Sequence, residues 1–268
     1  MKKQFKLGVI GGGFMASAIV RGVTGSGFVK GKKIVVADPS EAARSKMEEL
    51  GVNVSADNRE VAENSEYLLF AVKPQNFPAV AEEIGGIGTA KAISIMAGVK
   101  KQKIRAALSG CVKVARAMPN LPCSVGAGMT AVDISDFEDA EDCAFIHGIF
   151  DSLGNVLICS EDKLNAVTGI SGSGPAYVYM FIDGLIRAGV AQGLTEDEAK
   201  TLAVNTVAGG AEMVARSEDK TLGQLIDAVC SKGGTTIQAV NSFREDDLYG
   251  TIGRAVAACV KRAQELSE

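Results

Sequence analysis

The chain has 268 residues, 47% hydrophobic and 22% charged, with 31 glycines, no tryptophan and a formal net charge of −4. These are the proportions of a globular protein with ample apolar material for a core, long enough for one large domain or two smaller ones. The slight acidity gives no electrostatic reason to expect nucleic acid or an anionic membrane as a partner, which leaves small substrates open.

At the amino end, Lys2, Lys3 and Lys6 followed by "LGVIGGGFMASA" imitate the basic and apolar regions of a secretory signal. Gly11, Gly12 and Gly13 break that apolar run, and regular strand and helix patterns follow directly. The segment is therefore expected to belong to the folded domain. No apolar run is long enough to span a bilayer.

"KLGVI" reads as a buried strand and "MASAIVRGVTGSG" as a small-residue helix stopped by Gly25 and Gly27. "KIVVAD" is a second strand, and "SEAARSKMEEL" a helix with Ser40 as its N-cap. "EYLLFAV", "KAISIM" and "VKVARAM" are further β-rich runs, separated by the helical stretches "NFPAVAEEIGG" and "KKQKIRAALSG". Such alternation predicts a parallel sheet covered on both faces.

Within it, Gly11-Gly12-Gly13-Phe14-Met15-Ala16 forms a GxGxxA between a strand and a helix. Gly11 permits the tight turn, Gly13 lets backbone N–H groups approach a pyrophosphate, and Ala16 lets the helix pack close to the strand. The second strand ends in Asp38, somewhat beyond the usual offset of about 20 residues. A carboxylate there accepts the ribose hydroxyls of NADH and repels the extra phosphate of NADPH. Arg44 on the following helix, which could reach a phosphate, is the counterweight, but a solvated helix face explains it better.

The strand pattern stops after "GNVLICSEDKLNAVTGISGSG", which places a domain boundary near Asp162. Beyond it come "PAYVYMFIDGLIRAGVAQG", "TEDEAKTLAVNTVAGGAEMVARS", "TLGQLIDAVC" and a pair of helices over Thr235–Arg244 and Asp247–Glu265. Pro175 suits a first helical turn, and Thr195, Glu196 and Glu198 a capped, acid-rich N-terminus. A helix apolar nearly all round, as "AYVYMFIDGLIRAGVA" is, needs cover on every side, so a homodimer through these helices is expected. The fold class is thus α/β: a Rossmann-like dinucleotide-binding domain over residues 1–162, then an all-α dimerisation and substrate-binding domain over residues 163–268.

The six cysteines, Cys111, Cys123, Cys143, Cys159, Cys230 and Cys259, form no CxxC pair, and His147 is the only histidine. No metal site is expected; buried reduced thiols fit better, and with them a cytoplasmic setting.

The blocks "VIGGGFMASAI", "FAVKPQ", "ARAMPNLPCSVGAGMT", "GISGSGPAYVYMFIDGL" and "VCSKGGTTIQAV" together resemble the pyrroline-5-carboxylate reductases, in the right order over essentially the whole chain. The resemblance implies reduction of the ring C=N bond of 1-pyrroline-5-carboxylate to L-proline, the last step of proline biosynthesis, with NADPH or NADH. It implies a cyclic imino acid as substrate and a homodimer or higher homo-oligomer as the assembly. For the cofactor it points to Gly11, Gly13, Phe14, Met15, Asp38, Asn58, Ala71, Lys73, Pro74, Ala97, Gly98, Met118, Pro119 and Asn120. For the substrate it points to Ser231, Gly233, Gly234, Thr235 and Thr236. Thr236, whose hydroxyl is matched to a bond with the ring nitrogen, is the catalytic candidate. Ser171, Ser173 and Gly174 match the family's "SGSGPAY" block, and packing explains these small residues equally well.

The chemistry agrees with the residue types. A helix N-terminus with unpaired N–H groups suits a small ring carboxylate, and Gly233 and Gly234 let the backbone come close. Reducing a protonated imine delivers hydride to carbon, and the nitrogen's proton is already present or comes from water, so no histidine acid is required. Two departures from the family stand out: Lys232 replaces a common proline and Leu121 a common threonine.

Three alternatives compete. The β-hydroxyacid dehydrogenases share the layout but need a lysine on the early helix of the second domain, and "PAYVYMFIDGLIRAGVAQG" has none. A six-membered cyclic imine would be gripped by the same loop. A non-catalytic cofactor sensor would need the glycine turn and the dimer but not "GGTT".

Overall fold

The computed structural model describes residues 3–87, 91–108 and 113–267; Cys111 lies outside them. One compact unit runs to Ser173 and regains the chain from Cys259 onward, and the other is Gly174–Ala258.

The first unit alternates as expected: β1 (Phe5–Ile10), α1 (Phe14–Gly25), β2 (Ile34–Ala37), α2 (Glu41–Glu48), β3 (Asn53–Ser55), α3 (Asn58–Asn64), β4 (Ser65–Phe70), α4 (Phe77–Ile84), β5 (Lys91–Ser94), α5 (Lys101–Ala107) and β6 (Lys113–Met118). It continues through β7 (Gly128–Asp133), α6 (Ala140–Asp151), β8 (Gly154–Ile158) and the short α7 (Leu164–Val167). The sheet order is β3-β2-β1-β4-β5-β6-β7-β8. Strands β1 to β6 run parallel, while β7 pairs antiparallel with β6 and parallel with β8. The sheet is therefore mixed at one edge, where a purely parallel one was expected. The first six strands have the 3-2-1-4-5-6 order of doubly wound nucleotide-binding folds, whose ligands lie at the carboxyl ends where the order reverses, here between β1 and β4.

Alternate residues of each strand feed opposite faces. Leu7, Val9, Tyr67, Leu69, Ile93 and Val132 pack with Ile19 and Val20 of α1 and Ile146, Ile149 and Phe150 of α6. Ile10, Leu68, Phe70, Ala92 and Val114 pack with Val61 of α3, Phe77 and Ile84 of α4 and Ile104 of α5. Burying a side chain of this size contributes about 1.5–3 kcal/mol, so these two cores hold the strand ends of the site in place.

The second unit is helical: α8 (Gly174–Ala191), α9 (Glu196–Arg216), α10 (Leu222–Val229), α11 (Thr235–Glu245) and most of α12 (Leu248–Glu265). Pro175 lies in the first turn of α8, and Thr195 and Glu198 form a capping box on α9. Gly189 of α8 lies so close to α9 that a Cβ on it would stand 3.0 Å from that of Ala199. Within the described residues of this unit only Ala199 and Ala203 are buried. Met180 is 75% exposed and Tyr249 69%, with Leu202, Met213 and Leu222 also open. A set of helices with this little core has large apolar faces left to cover.

The sequence boundary near Asp162 falls in the 3₁₀ turn Glu161–Lys163. The contact division comes later because the segment up to Ser173 packs on the first unit: the Asn120 amide donates to the Ser171 carbonyl, and Gly172 abuts the Met118 methyl.

Candidate active site

The glycine turn joins β1 to α1. Gly11 has φ +98°, where an L side chain is strained, and its N–H donates to the Ala37 carbonyl at 2.8 Å. A Cβ on Gly11 would touch the Ala71 carbonyl at 3.0 Å, so the turn threads between the ends of β2 and β4. Gly13 is the N-cap of α1 with no capping side chain, and a Cβ there would meet no atom within 4 Å. The free N–H groups at the start of α1, those of Phe14 and Met15, thus face open space beside an exposed glycine. Ala16 is 1% exposed, within the core beneath the helix.

A cavity of about 710 Å³ opens on this turn, lined by Gly11, Gly13, Asp38, Asn58, Ala71, Lys73 and Glu83 among others. Its volume falls within the range of small-molecule and cofactor pockets. Asp38 directly follows β2, and its Oδ2 accepts the Gly12 N–H at 2.7 Å and its Oδ1 the Ser40 N–H at 2.8 Å. Asn58 opens α3 and donates to Glu83 Oε2 at 2.7 Å. Lys73 precedes Pro74, the first residue of a 3₁₀ turn, and both are exposed. The uncapped helix start, the open glycine and the cavity together fit a dinucleotide.

Further along the sheet, Ala97 and Gly98 form the turn after β5, with Gly98 at φ +76°. A Cβ on Gly98 would stand 2.6 Å from the Leu266 carbonyl oxygen, so the end of α12 lies against this turn. Met118 closes β6, and Pro119 and Asn120 behind it are buried. Asn120 Oδ1 accepts the Met129 N–H at 2.9 Å, and its amide group donates to the Ser171 carbonyl at 3.3 Å. Thr168–Gly172 is a π-helical turn, a form concentrated at functional sites. Sequence reasoning placed Asn120 as a cofactor contact; the structure occupies both ends of its amide with protein groups.

In the second unit, the Gly234 N–H donates to the Ser231 carbonyl at 3.0 Å, closing a turn over Ser231–Gly234. Gly233 is left-handed at φ +74° and Lys232 is not, which defines a type II turn with Lys232 at the position that favours proline. Gly234 is the N-cap of α11, whose 11 residues begin at Thr235, and no side chain caps it. The starts of α9 and α10 are closed by capping boxes from Thr195 and Thr221. Thr235 is exposed and Thr236 half-buried.

Two family models match the chain: one for pyrroline-5-carboxylate reductase dimerisation over residues 161–266, and one for coenzyme F420-dependent NADP oxidoreductases over residues 6–98. A pyrroline-5-carboxylate reductase from Synechocystis is 40% identical over 267 residues, covering 99% of both chains. The chain belongs to the pyrroline-5-carboxylate reductase family. The crystal structure of the Plasmodium falciparum pyrroline carboxylate reductase with NADP bound superimposes with a TM-score of 0.89 at 31% identity, and the Coxiella burnetii pyrroline-5-carboxylate reductase with 0.90 at 34%, each over the whole of both chains.

In this member of the reductase family, a buried ionic network that the sequence reading missed stands behind the Gly98 turn. Lys101, at the start of α5, places its ammonium 2.8 Å from Asp133 and 2.8 Å from Asp136. The Asp133 carboxylate also accepts the Glu161 N–H at 2.5 Å, and Glu161 accepts from the Lys101 N–H at 2.8 Å and from Arg116 at 3.2 Å. Burial alone would raise the Asp133 and Asp136 carboxyls, but the Lys101 ammonium and their hydrogen bonds hold both below the usual range. Charges in apolar strands, Arg116 in "KVARAM" and Asp133 ending "MTAVD", were the available signal. A second cluster joins Tyr67, Asp142 and Lys91: burial and then the Asp142 bond push the Tyr67 hydroxyl up, and the same carboxylate raises Lys91 against its own desolvation. His147 lies within α6, as expected of an ordinary helix position.

Proposed function

We propose that the chain reduces 1-pyrroline-5-carboxylate to L-proline with NADPH or NADH, as the catalytic subunit of a homodimer or higher homo-oligomer. The full-length match to reductases of this activity carries the reading. The β1–α1 turn, with Gly11, Gly13, Phe14 and Met15, receives the pyrophosphate on uncapped N–H groups. Asp38 and Asn58 take the adenosine end. Ala71, Lys73, Pro74, Ala97, Gly98, Met118 and Pro119 border the nicotinamide side, with Asn120 bracing them. When bound, the dinucleotide supplies the hydride.

The α11 start takes the substrate. Its N–H groups at Thr235 and Thr236 have no capping side chain to answer them, with the N-cap Gly234 leaving the approach open, and the positive end of the helix dipole favours a carboxylate there. Ser231 shapes the turn, and Gly233 supplies the left-handed residue it requires. The Thr236 hydroxyl bonds the ring nitrogen and orients the imine carbon; holding that carbon in a near-attack geometry is the main protein contribution to rate. Binding at residues 163–268 and dinucleotide binding at residues 1–162 is the division of labour this implies. The uncovered apolar faces of α8, α9 and α12 are suited to a second copy. Five described cysteines without a disulfide agree with a cytoplasmic setting, and no helix among the described residues is long and apolar enough to cross a membrane.

The test follows oxidation of NADH and NADPH at the nicotinamide absorbance band with pyrroline-5-carboxylate, for the wild type and Thr236→Ala. Turnover by the wild type and a loss of about 10-fold or more in the variant's kcat/KM is expected, the scale of one lost transition-state hydrogen bond. No turnover despite cofactor binding would sink the reductase reading and leave a larger cyclic imine or a sensor.

A further inference from the structure

We infer that Asp38 makes this pocket selective for the unphosphorylated adenosine ribose, so that NADH binds more tightly than NADPH. The inference rests on the dinucleotide reading above and deepens it to the choice of cofactor.

Three observations carry it. First, the Asp38 carboxylate is fixed. The Gly12 N–H holds one oxygen at 2.7 Å and the Ser40 N–H the other at 2.8 Å, so it cannot swing away to admit a phosphate. Each oxygen keeps a further lone pair, enough to accept the two ribose hydroxyls of NADH. Second, Arg44, the cation nearest in sequence, is already engaged: one terminal nitrogen of its guanidinium donates to the Asp38 carbonyl at 2.8 Å and the Pro39 carbonyl at 2.9 Å. Arg44 does not line the cavity that Asp38 lines. Third, that cavity carries a second acid, Glu83, which takes the Asn58 amide hydrogen at 2.7 Å. Asn58 therefore has one of its two amide hydrogens committed to a carboxylate.

Among the described residues, the one cation lining this cavity is Lys73, which follows β4 rather than β2. Arg21 and Lys46 line the neighbouring cavity, which shares Gly13 with this one and also borders Ser40 and Ala43, but not the Asp38 carboxylate. A ribose phosphate carries about −1.5 to −2 charges at neutral pH. Placed at the end of β2, it would face Asp38 and Glu83 with no uncommitted cation among the lining residues there. Like-charge juxtaposition of this kind discriminates strongly between ligands that are otherwise identical.

The experiment is an equilibrium titration of NADH and of NADPH, followed by nicotinamide fluorescence, on the intact oligomer without imino acid. It is run for the wild type, Asp38→Ser and Glu83→Gln, and repeated for the wild type at rising salt. The wild type should bind NADH about 10-fold or more tightly than NADPH, Asp38→Ser should lose most of that ratio by gaining affinity for NADPH, and Glu83→Gln should move it the same way by less. Salt should narrow the wild-type ratio, because it screens a repulsion, and this holds even if Asp38→Ser fails to fold. Equal or tighter NADPH binding by the wild type would overturn the inference, as would an Asp38→Ser variant that folds and keeps the ratio. The expected preference without turnover of pyrroline-5-carboxylate would uphold it while removing the reductase reading.

Discussion

Replacing Lys101 with methionine probes the network behind the Gly98 turn. The Lys101 side chain is 6% exposed, and the carboxylates it meets, Asp133 and Asp136, are 3% and 12% exposed, so solvent screening is slight. Methionine fills the same space but leaves Asp133 without a cation, beside an Asp136 that keeps only Arg105. Breaking a buried pair in this way costs about 3–5 kcal/mol, because the partner charge stays desolvated. At a urea m-value near 3 kcal/mol/M, this lowers the unfolding midpoint by about 1–2 M. The measurement is urea unfolding at fixed protein concentration, since an oligomer's stability depends on it.

The pH dependence gives a second check. In the wild type, Asp133 and Asp136 titrate below the ordinary carboxylate range in the folded state. Their contribution is therefore fully present above the unfolded value and is lost as pH falls below about 4 towards the depressed folded values. In Lys101→Met the cation that lowers Asp133 is gone and its burial remains, so that carboxyl rises, while Arg105 and the Val114 N–H still hold Asp136. The variant's deficit should then be largest near pH 7 and shrink towards pH 4.5, where a neutral carboxyl relieves the buried charge. A deficit under 1 kcal/mol at pH 7, or one that does not change with pH, would refute the reasoning.

Gly98→Ala should destabilise by about 1–2 kcal/mol for the left-handed backbone alone, with more from the push on Leu266, and weaken cofactor binding; an unchanged thermal midpoint would contradict the packing at φ +76°. Lys232→Pro should stabilise by about 0.4–1 kcal/mol, because proline suits the second position of the type II turn and restricts the unfolded chain. Differential scanning calorimetry should show the midpoint rising, and a fall would mean that the turn is not type II. The same variant should leave the cofactor affinity of the first unit unaltered, read by fluorescence titration.

Much of the fold was legible because the periodicities were long and local. The apolar runs of β1, β2 and β4 and the glycines around them announce a doubly wound sheet, and Ser40, Thr195 and Pro175 mark helix starts by their own chemistry. The edge was not legible. "GMTAVD" begins with a glycine and shows no strong alternation, and its antiparallel pairing with β6 depends on which strand end the chain returns to. The blocks naming the family supplied the candidate site residues, Asn120 among them, and only side-chain geometry shows its amide tied to Met129 and Ser171. The Lys101, Asp133, Asp136 and Glu161 cluster joins residues far apart in the chain, and no spacing rule links them.

The amino-acid sequence by itself determined the alternating first unit, the glycine turn at the head of α1, the helical second unit with its apolar faces, and the family. These are encoded in nearest neighbours, where backbone sterics, capping and period-two or period-3.6 burial act within one element. Tertiary structure decided the partners of the charges: that Asp38 is pinned between two N–H groups, that Arg44 rests on carbonyls, and that Lys101 holds two buried aspartates. Coulomb and hydrogen-bond energies depend on distance and burial, and those are set only when strands and helices remote in sequence are brought together.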